Sequence, residues 1–197
     1  LFKNQISEGY LGLFGIFFII TYSYISNFFY SHGLTHNVTL LCLGIFFYLF
    51  FNNKNKDFIL TFTIFLILFV ALIIMKTHDD FPYYHFPYTN YLTKTDLIVG
   101  IGNYDPSWRS PSSIFYFNSL FYLPLIKFYL YHIGALLIMG FSLTSIFIRG
   151  YQRYKLKKFD HVFFFQLLSF TYILVFFYRL SEHGTDKSAQ ILSFILI

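Results

Sequence analysis

The chain has 197 residues and a formal net charge of +5; 56% of its residues are hydrophobic and 12% charged, against about 25% charged in a soluble domain. Aromatic residues make up 25%, with 30 Phe and 18 Tyr, more than a soluble core uses but suited to lipid-facing helices and interfacial belts. The single cysteine, Cys42, excludes a disulfide framework or a cysteine metal site within the chain, and the basic residues lie in short segments between apolar runs, which indicates membrane topology and not a nucleic-acid partner.

The elements follow in chain order. The sequence opens on Leu1 and ends inside an apolar run without a cleavable signal peptide, and so reads as a piece of a longer membrane protein. Residues 10–30 form the first apolar run, long enough for one crossing, since a bilayer core needs about 20 helical residues. Gly9, Gly12 and Gly15 lie three apart at its start, a spacing that suits close helix contact. After the turn SHGLTHN comes a second predicted span, 35–51. Asn37-Val38-Thr39 within it is a formal glycosylation sequon, a match that is frequent by chance. The loop NNKNKD separates it from a third span, 58–75.

Residues 76–126 are predicted to form an extracytoplasmic loop containing short interfacial helices, one of them running from Asp79 through Tyr91. The apolar stretch from Ile114 to Ile148 is too long for one span and too short for two. It is read as an interfacial or re-entrant helix over 112–123, a break at Pro124 and a fourth span over 127–148. The basic segment RGYQRYKLKKFD follows, then a fifth span over 162–178 in which Gln166 and Ser169 are candidate interhelical contacts. The polar loop RLSEHGTDKSAQ leads into a truncated sixth span from 190. The predicted fold is an all-α, polytopic transmembrane helix bundle.

With a cytoplasmic amino end, the inner segments hold eight Lys and Arg and three acids, a net 8 − 3 = +5; the outer segments hold six of each, a net of 0. This basic-inside bias places both acidic loops, 79–105 and 182–186, on the extracytoplasmic face.

Residues 76–113 concentrate four of the nine acidic residues, two of the seven histidines, the only tryptophan and four of the five prolines. Asp79 and Asp80 follow the third apolar run closely. Adjacent carboxylates at a membrane surface either bind a divalent cation or share a proton, and either property suits deprotonation of an acceptor hydroxyl or stabilisation of a departing phosphate; a solvated helix-capping pair is the bland alternative. His78 and His85 flank the pair, with Tyr84 beside them. Arg109 offers a guanidinium fork to phosphate, and GxGN at Gly100–Asn103 is too short for a nucleotide fingerprint. Glu182, His183 and Asp186 form a second polar cluster, with Asp186 also suited to cap the next helix. His132 and His161 are read as packing or interfacial groups.

The pattern HDDFPYYHFPYT followed by GIGNYDPSWRSPSSIFYFNSLF resembles the first external loop of integral-membrane glycosyltransferases of the GT-C fold, over about residues 58–126. The resemblance implies transfer of a sugar from a polyprenyl-phosphate-linked donor to an envelope glycan, lipid or protein, on the outer side of a bacterial inner membrane. It makes Asp79 and Asp80 the acidic motif, catalytic and able to help hold a metal. Asn103, Arg109 and Ser113 match the later segment, and His78, Tyr84, His85, Glu182, His183 and Asp186 are candidate substrate contacts. The family's acidic loop usually follows its first span, whereas at least two precede it here. The amino-terminal hydropathy resembles O-antigen-polymerase-type polysaccharide proteins, the rival reading; a transporter would carry ionisable residues within its spans, which are nearly free of them.

Overall fold

Long runs of Phe, Leu and Ile offer no side-chain partners to the backbone, so its N–H and C=O groups pair within helices. The computed structural model describes residues 7–51, 57–74, 77–109, 112–182 and 186–196, and the fold is all-α. Eight α-helices are described: α1 (Glu8–Asn27), α2 (Leu34–Phe51), α3 (Phe58–Ile74), α4 (Phe86–Lys94), α5 (Ser113–Ser119), α6 (Ile133–Lys155), α7 (His161–Phe176) and α8 (Lys187–Ser193). Among the described residues no strand is present, only an isolated bridge between Leu123 and Lys127.

Among the described residues, two helical stretches are long and apolar enough to cross a membrane: α1, and 128–155, which joins a 3-10 turn to α6. The predicted second, third and fifth spans correspond to shorter apolar helices, α2, α3 and α7, and the truncated sixth falls on the end of the seven-residue α8. Large apolar side chains on α1, α2, α3 and α7 are exposed in quantity, Phe18, Leu49, Ile59 and Leu168 among them.

The chain divides into two compact units. The first contains the start of α1 (to Ile16), α3, α6 from Ala135, α7 and α8. Its centre is α6, which buries Leu136, Met139, Leu143 and Ile146. Gly9 and Gly12 let α1 lie directly on Phe141 and Ser145 of α6. The sequence spacing is thus used at two of its three positions; Gly15 has nothing within 4 Å of where a Cβ would stand. Thr61 of α3 donates to the Glu8 carboxylate at 3.0 Å, and Arg149 of α6 donates to the Tyr10 hydroxyl at 2.8 Å. Asp160 caps α7 by accepting the Phe163 N–H at 3.0 Å and pairs with Arg153.

The second unit contains 17–54 and 77–134. Its core is α5, whose residues Ile114 to Ser119 are all buried. The helix predicted over 112–123 as interfacial or re-entrant is shorter, Ser113–Ser119, and its aromatic run is buried against His85 and Tyr88. The predicted helix from Asp79 is a turn at 79–80, a π-helical segment (Phe81–His85) and then α4. Pro87 supplies no N–H, so the turn before it widens, and the Phe86 N–H reaches back to Phe81 O.

The break predicted at Pro124 is real, with Leu125 and Lys127 at φ 68° and 49°. The following helix begins later than 127 and runs beyond 148, through most of the basic segment to Lys155. Arg, Gln and Lys are good helix formers, and their charges end the apolar run without ending the helix.

The turn SHGLTHN is more than a connection. His32 is fully buried, with Nδ1 2.6 Å from Ser119 Oγ and Nε2 3.0 Å from Ser26 Oγ. Since Ser119 Oγ donates to Tyr116 O, it accepts from His32 Nδ1–H. Asn37 is also buried, its amide donating to His32 O and Ser119 O at 2.8 Å with Tyr122 O at 3.1 Å. The sequon asparagine therefore ties the head of α2 to α5, and its nitrogen is closed to glycosylation.

Candidate functional site

The acidic pair stands in the turn that enters the π-helical segment. Both carboxylate residues are exposed. The Asp80 N–H donates to His78 Nδ1 at 3.0 Å, and one Asp80 carboxylate oxygen lies 3.7 Å from the same nitrogen. The Asp80 carbonyl accepts the N–H groups of Tyr83 and Tyr84 at 3.2 and 3.1 Å. Backbone bonds thus fix the turn, and the side chains face outward from it.

Rings hold this turn to the core. His78 and His85 lie 5.3 Å apart between centroids, Tyr84 meets His85 edge-on at 4.2 Å, and Phe115 of α5 touches His85 at 5.0 Å. Phe115 also contacts Tyr84 and Tyr88. Phe81 meets His132 with tilted rings 4.2 Å apart, so this histidine, read from the sequence as a packing or interfacial group, packs against the residue that follows the acidic pair.

His85 is 5% exposed, and its Nε2 is buried without a hydrogen-bond partner. Burial, reinforced by neighbouring His78, holds its pKa down to about 4; burial and His36 hold His32 at about 4 as well. Both folded values lie below the ordinary 6.5 of the unfolded chain. Between those limits the unfolded chain binds protons that the folded one refuses, so stability falls as pH falls through that window. Trp108 lies in this unit, and its fluorescence is expected to report a lower melting temperature at pH 5 than at pH 7. His85→Phe, which keeps the ring and removes the titrating group, is expected to shrink that drop; an undiminished drop would show that His85 is not a source.

The loop 100–109 supplies Asn103 and Arg109. Gly100 takes the left-handed conformation, φ 86°, that turns the chain into a 3-10 segment (Ile101–Asn103). Arg109 Nε donates to Gly102 O at 3.2 Å, and a Cβ on Gly102 would stand 2.8 Å from Arg109 Cγ, so the two segments of the loop pack face to face. Asp105 accepts from Ser107 N and Oγ at 2.9 and 2.7 Å, and this holds its carboxyl below the usual range. Trp108 anchors the loop on α4, 5.5 Å from Tyr88 and 5.6 Å from Tyr91. Burial and the Tyr116 hydroxyl at 3.4 Å push the Tyr88 pKa up, so Tyr88 serves as a neutral packing group. A continuous run of rings therefore joins the acidic turn to the arginine loop: His78, His85, Phe115, Tyr88, Trp108.

His78, Asp79, Asp80, Tyr84, His85, Asn103 and Arg109 all belong to the second unit. Glu182 and Asp186 belong to the first. There Glu182 ends a 3-10 turn (Leu180–Glu182) and pairs with Arg179 at 2.7 Å, while Ser181 donates to Leu72 O of α3. Asp186 takes the N-cap position of α8 without a side-chain bond to that helix's N–H groups. His183 lies outside the described residues.

Two adjacent carboxylates are too few to enclose a cation. Among the described residues no group of three or more His, Cys, Asp or Glu side chains is placed to hold a metal ion. Among the described residues, Asp79 and Asp80 therefore do not by themselves build a cation site.

Sequence reasoning gave His132 a packing or interfacial role without its partner, and missed Phe115 and the His32–Asn37–Ser119 network. The first two are joined to the acidic turn only by the fold. The third left part of a signal, since His32 and Asn37 stand at the head of an apolar run, where unpaired polar groups are costly.

No curated protein and no solved structure matches the chain. A family model does match, over residues 3–197, and its description is Domain of unknown function (DUF8201). The chain belongs to this DUF8201 family.

Proposed function

We propose that the protein is a polytopic membrane glycosyltransferase that moves a sugar from a polyprenyl-phosphate-linked donor to an envelope glycan, lipid or protein, on the outer face of a bacterial inner membrane. The observation that carries this reading is the acidic turn: exposed carboxylates on a backbone fixed by hydrogen bonds and aromatic packing, on a loop shared with an exposed arginine. The exposed apolar side chains of α1, α2, α3 and α7 and the basic-inside charge pattern support the membrane setting.

In this reaction the acceptor hydroxyl gives its proton to Asp79 or Asp80 as its oxygen bonds to the sugar's anomeric carbon. The bond from that carbon to the phosphate oxygen breaks, and polyprenyl phosphate leaves with the electron pair. Arg109 has Nε committed to Gly102 O, and its two terminal amino groups present the fork that holds the phosphate. The protein's contribution is positioning and charge stabilisation.

The test is turnover by the full-length protein in liposomes, offered either a polyprenyl-phosphate sugar or the corresponding nucleotide sugar with a hydroxylated acceptor. Consumption of the lipid-linked donor alone is expected. Consumption of the nucleotide sugar alone, or of neither, would overturn the assignment.

A further inference from the structure

A cleft of about 750 Å³ opens within the second unit, bounded by the end of α1, the 28–33 turn, the first turns of α2 and the chain leaving α4. That volume lies in the range of small-molecule sites, roughly 300–1,000 Å³. Its long wall is one face of α2: His36, Thr39, Leu40 and Leu43 recur at helical spacing. At 1.5 Å per residue, Leu43 lies about 10 Å further along the helix than His36. The wall therefore runs from polar to apolar. At the polar end stand Lys94 and Asp96.

That end is pre-organised. The Asn37 amide nitrogen donates to backbone carbonyls, so Asn37 Oδ1 is an acceptor and takes the N–H of His36 Nδ1 at 2.9 Å. His36 Nε2 then accepts from the Tyr22 hydroxyl at 2.9 Å. This holds the Tyr22 and His36 rings against each other in the wall of the cleft and leaves the Tyr22 oxygen as an acceptor.

We infer that this cleft binds a membrane phospholipid whose phosphate head carries hydroxyl groups, as in a phosphoglycerol lipid. Lys94 is the cation for the phosphate. Asp96 and the Tyr22 oxygen are acceptors for head-group hydroxyls. Leu40 and Leu43 line the path of the hydrocarbon tail. A free saccharide would leave those leucines uncovered, and a neutral lipid would leave Lys94 without its charge partner. The site is separate from the acidic turn, and its occupancy does not depend on sugar transfer.

The test is native mass spectrometry of the full-length protein in detergent, titrated with phosphatidylglycerol, diacylglycerol of the same tails, and glycerol 3-phosphate. Binding of phosphatidylglycerol is expected, with diacylglycerol at least about tenfold weaker and glycerol 3-phosphate unbound at the same concentration, because each lacks one half of the interaction. Lys94→Gln is expected to weaken phosphatidylglycerol about tenfold. Leu43→Trp, a substitution of an exposed residue, is expected to block the tail path; Thr39→Trp replaces it if that variant melts early. Equal binding of phosphatidylglycerol and diacylglycerol, binding of free glycerol 3-phosphate, or phosphatidylglycerol binding indifferent to both Lys94→Gln and a folded tryptophan variant would overturn the inference.

Discussion

Asp79→Asn and Asp80→Asn are each expected to lower sugar transfer by about a hundredfold or more, the scale of a lost general base or charge-bearing group, and Asp80→Asn to leave the melting temperature unchanged. The structural half of this expectation rests on position. Both residues are exposed, and the turn is held by bonds that asparagine keeps: the residue-80 N–H to His78 Nδ1, and the residue-80 carbonyl to Tyr83 and Tyr84. The Asp80 carboxylate lies 3.7 Å from a histidine nitrogen at an exposed site, and such a pair contributes little to stability. A role in the fold and a role in chemistry are thus separable at Asp80. Arg109→Lys belongs to the same test: lysine keeps the charge but loses the fork, and is expected to raise the KM for the lipid-linked donor about tenfold with a smaller change in kcat. Wild-type turnover in both aspartate variants at equal membrane abundance would remove the acidic turn from the mechanism.

The second large effect concerns packing. Gly9→Leu is expected to destabilise the first unit by more than about 3 kcal/mol, beyond the usual 1–3 kcal/mol of overpacking. A Cβ at Gly9 would stand 2.6 Å from Phe141 O and 2.7 Å from Ser145 N, both backbone atoms of α6 that cannot swing aside. At Gly12 the obstruction is the Phe141 ring, so Gly12→Ala is expected to cost less, because a side chain can move. Gly15→Leu supplies the contrast: nothing lies within 4 Å, and helix propensity favours leucine over glycine by roughly 0.5–1 kcal/mol, so stability is expected to hold or rise. Thermal melting followed by circular dichroism ranks the three; Trp108 fluorescence would report the other unit. A Gly9→Leu protein that melts like the wild type would show that α1 and α6 do not meet as described.

Most helix positions were legible in the sequence because an apolar run leaves the backbone few alternatives. The predicted spans 10–30, 35–51, 58–75 and 162–178 each fall within a few residues of α1, α2, α3 and α7. The errors have physical causes. The end of α6 was placed too early because Arg149, Arg153 and Lys155 mark a change of solvent, and helix propensity is indifferent to that change. The interfacial or re-entrant helix over 112–123 was placed by the length of the apolar stretch alone; that it would be shorter, with Ile114–Ser119 buried, is decided by partners far away in sequence. The wide turn over 81–85 follows from Pro87, and the proline was visible, but which backbone bond would replace the lost one was not.

The candidate site was legible only as a list of residue types. Asp79, Asp80 and His78 are neighbours in sequence and remain so in space. That His85 would be buried against Phe115, that His132 would lie on Phe81, and that Trp108 would carry Arg109 onto α4 are long-range outcomes with no local signature. The polar residues of SHGLTHN, passed over as a turn, hold the second unit together and form the polar end of its cleft.

One measurement bears on the central claim most directly. Full-length protein in sealed vesicles is given a polyprenyl-phosphate sugar labelled in the sugar, with acceptor on one side only, and released polyprenyl phosphate is counted in a single turnover. Release is expected from the wild type when the acceptor shares a compartment with the 76–126 segment, and not from the Asp79→Asn/Asp80→Asn double variant. Equal release from both proteins, or release only with acceptor on the opposite side, would contradict the assignment of sugar transfer to the acidic turn.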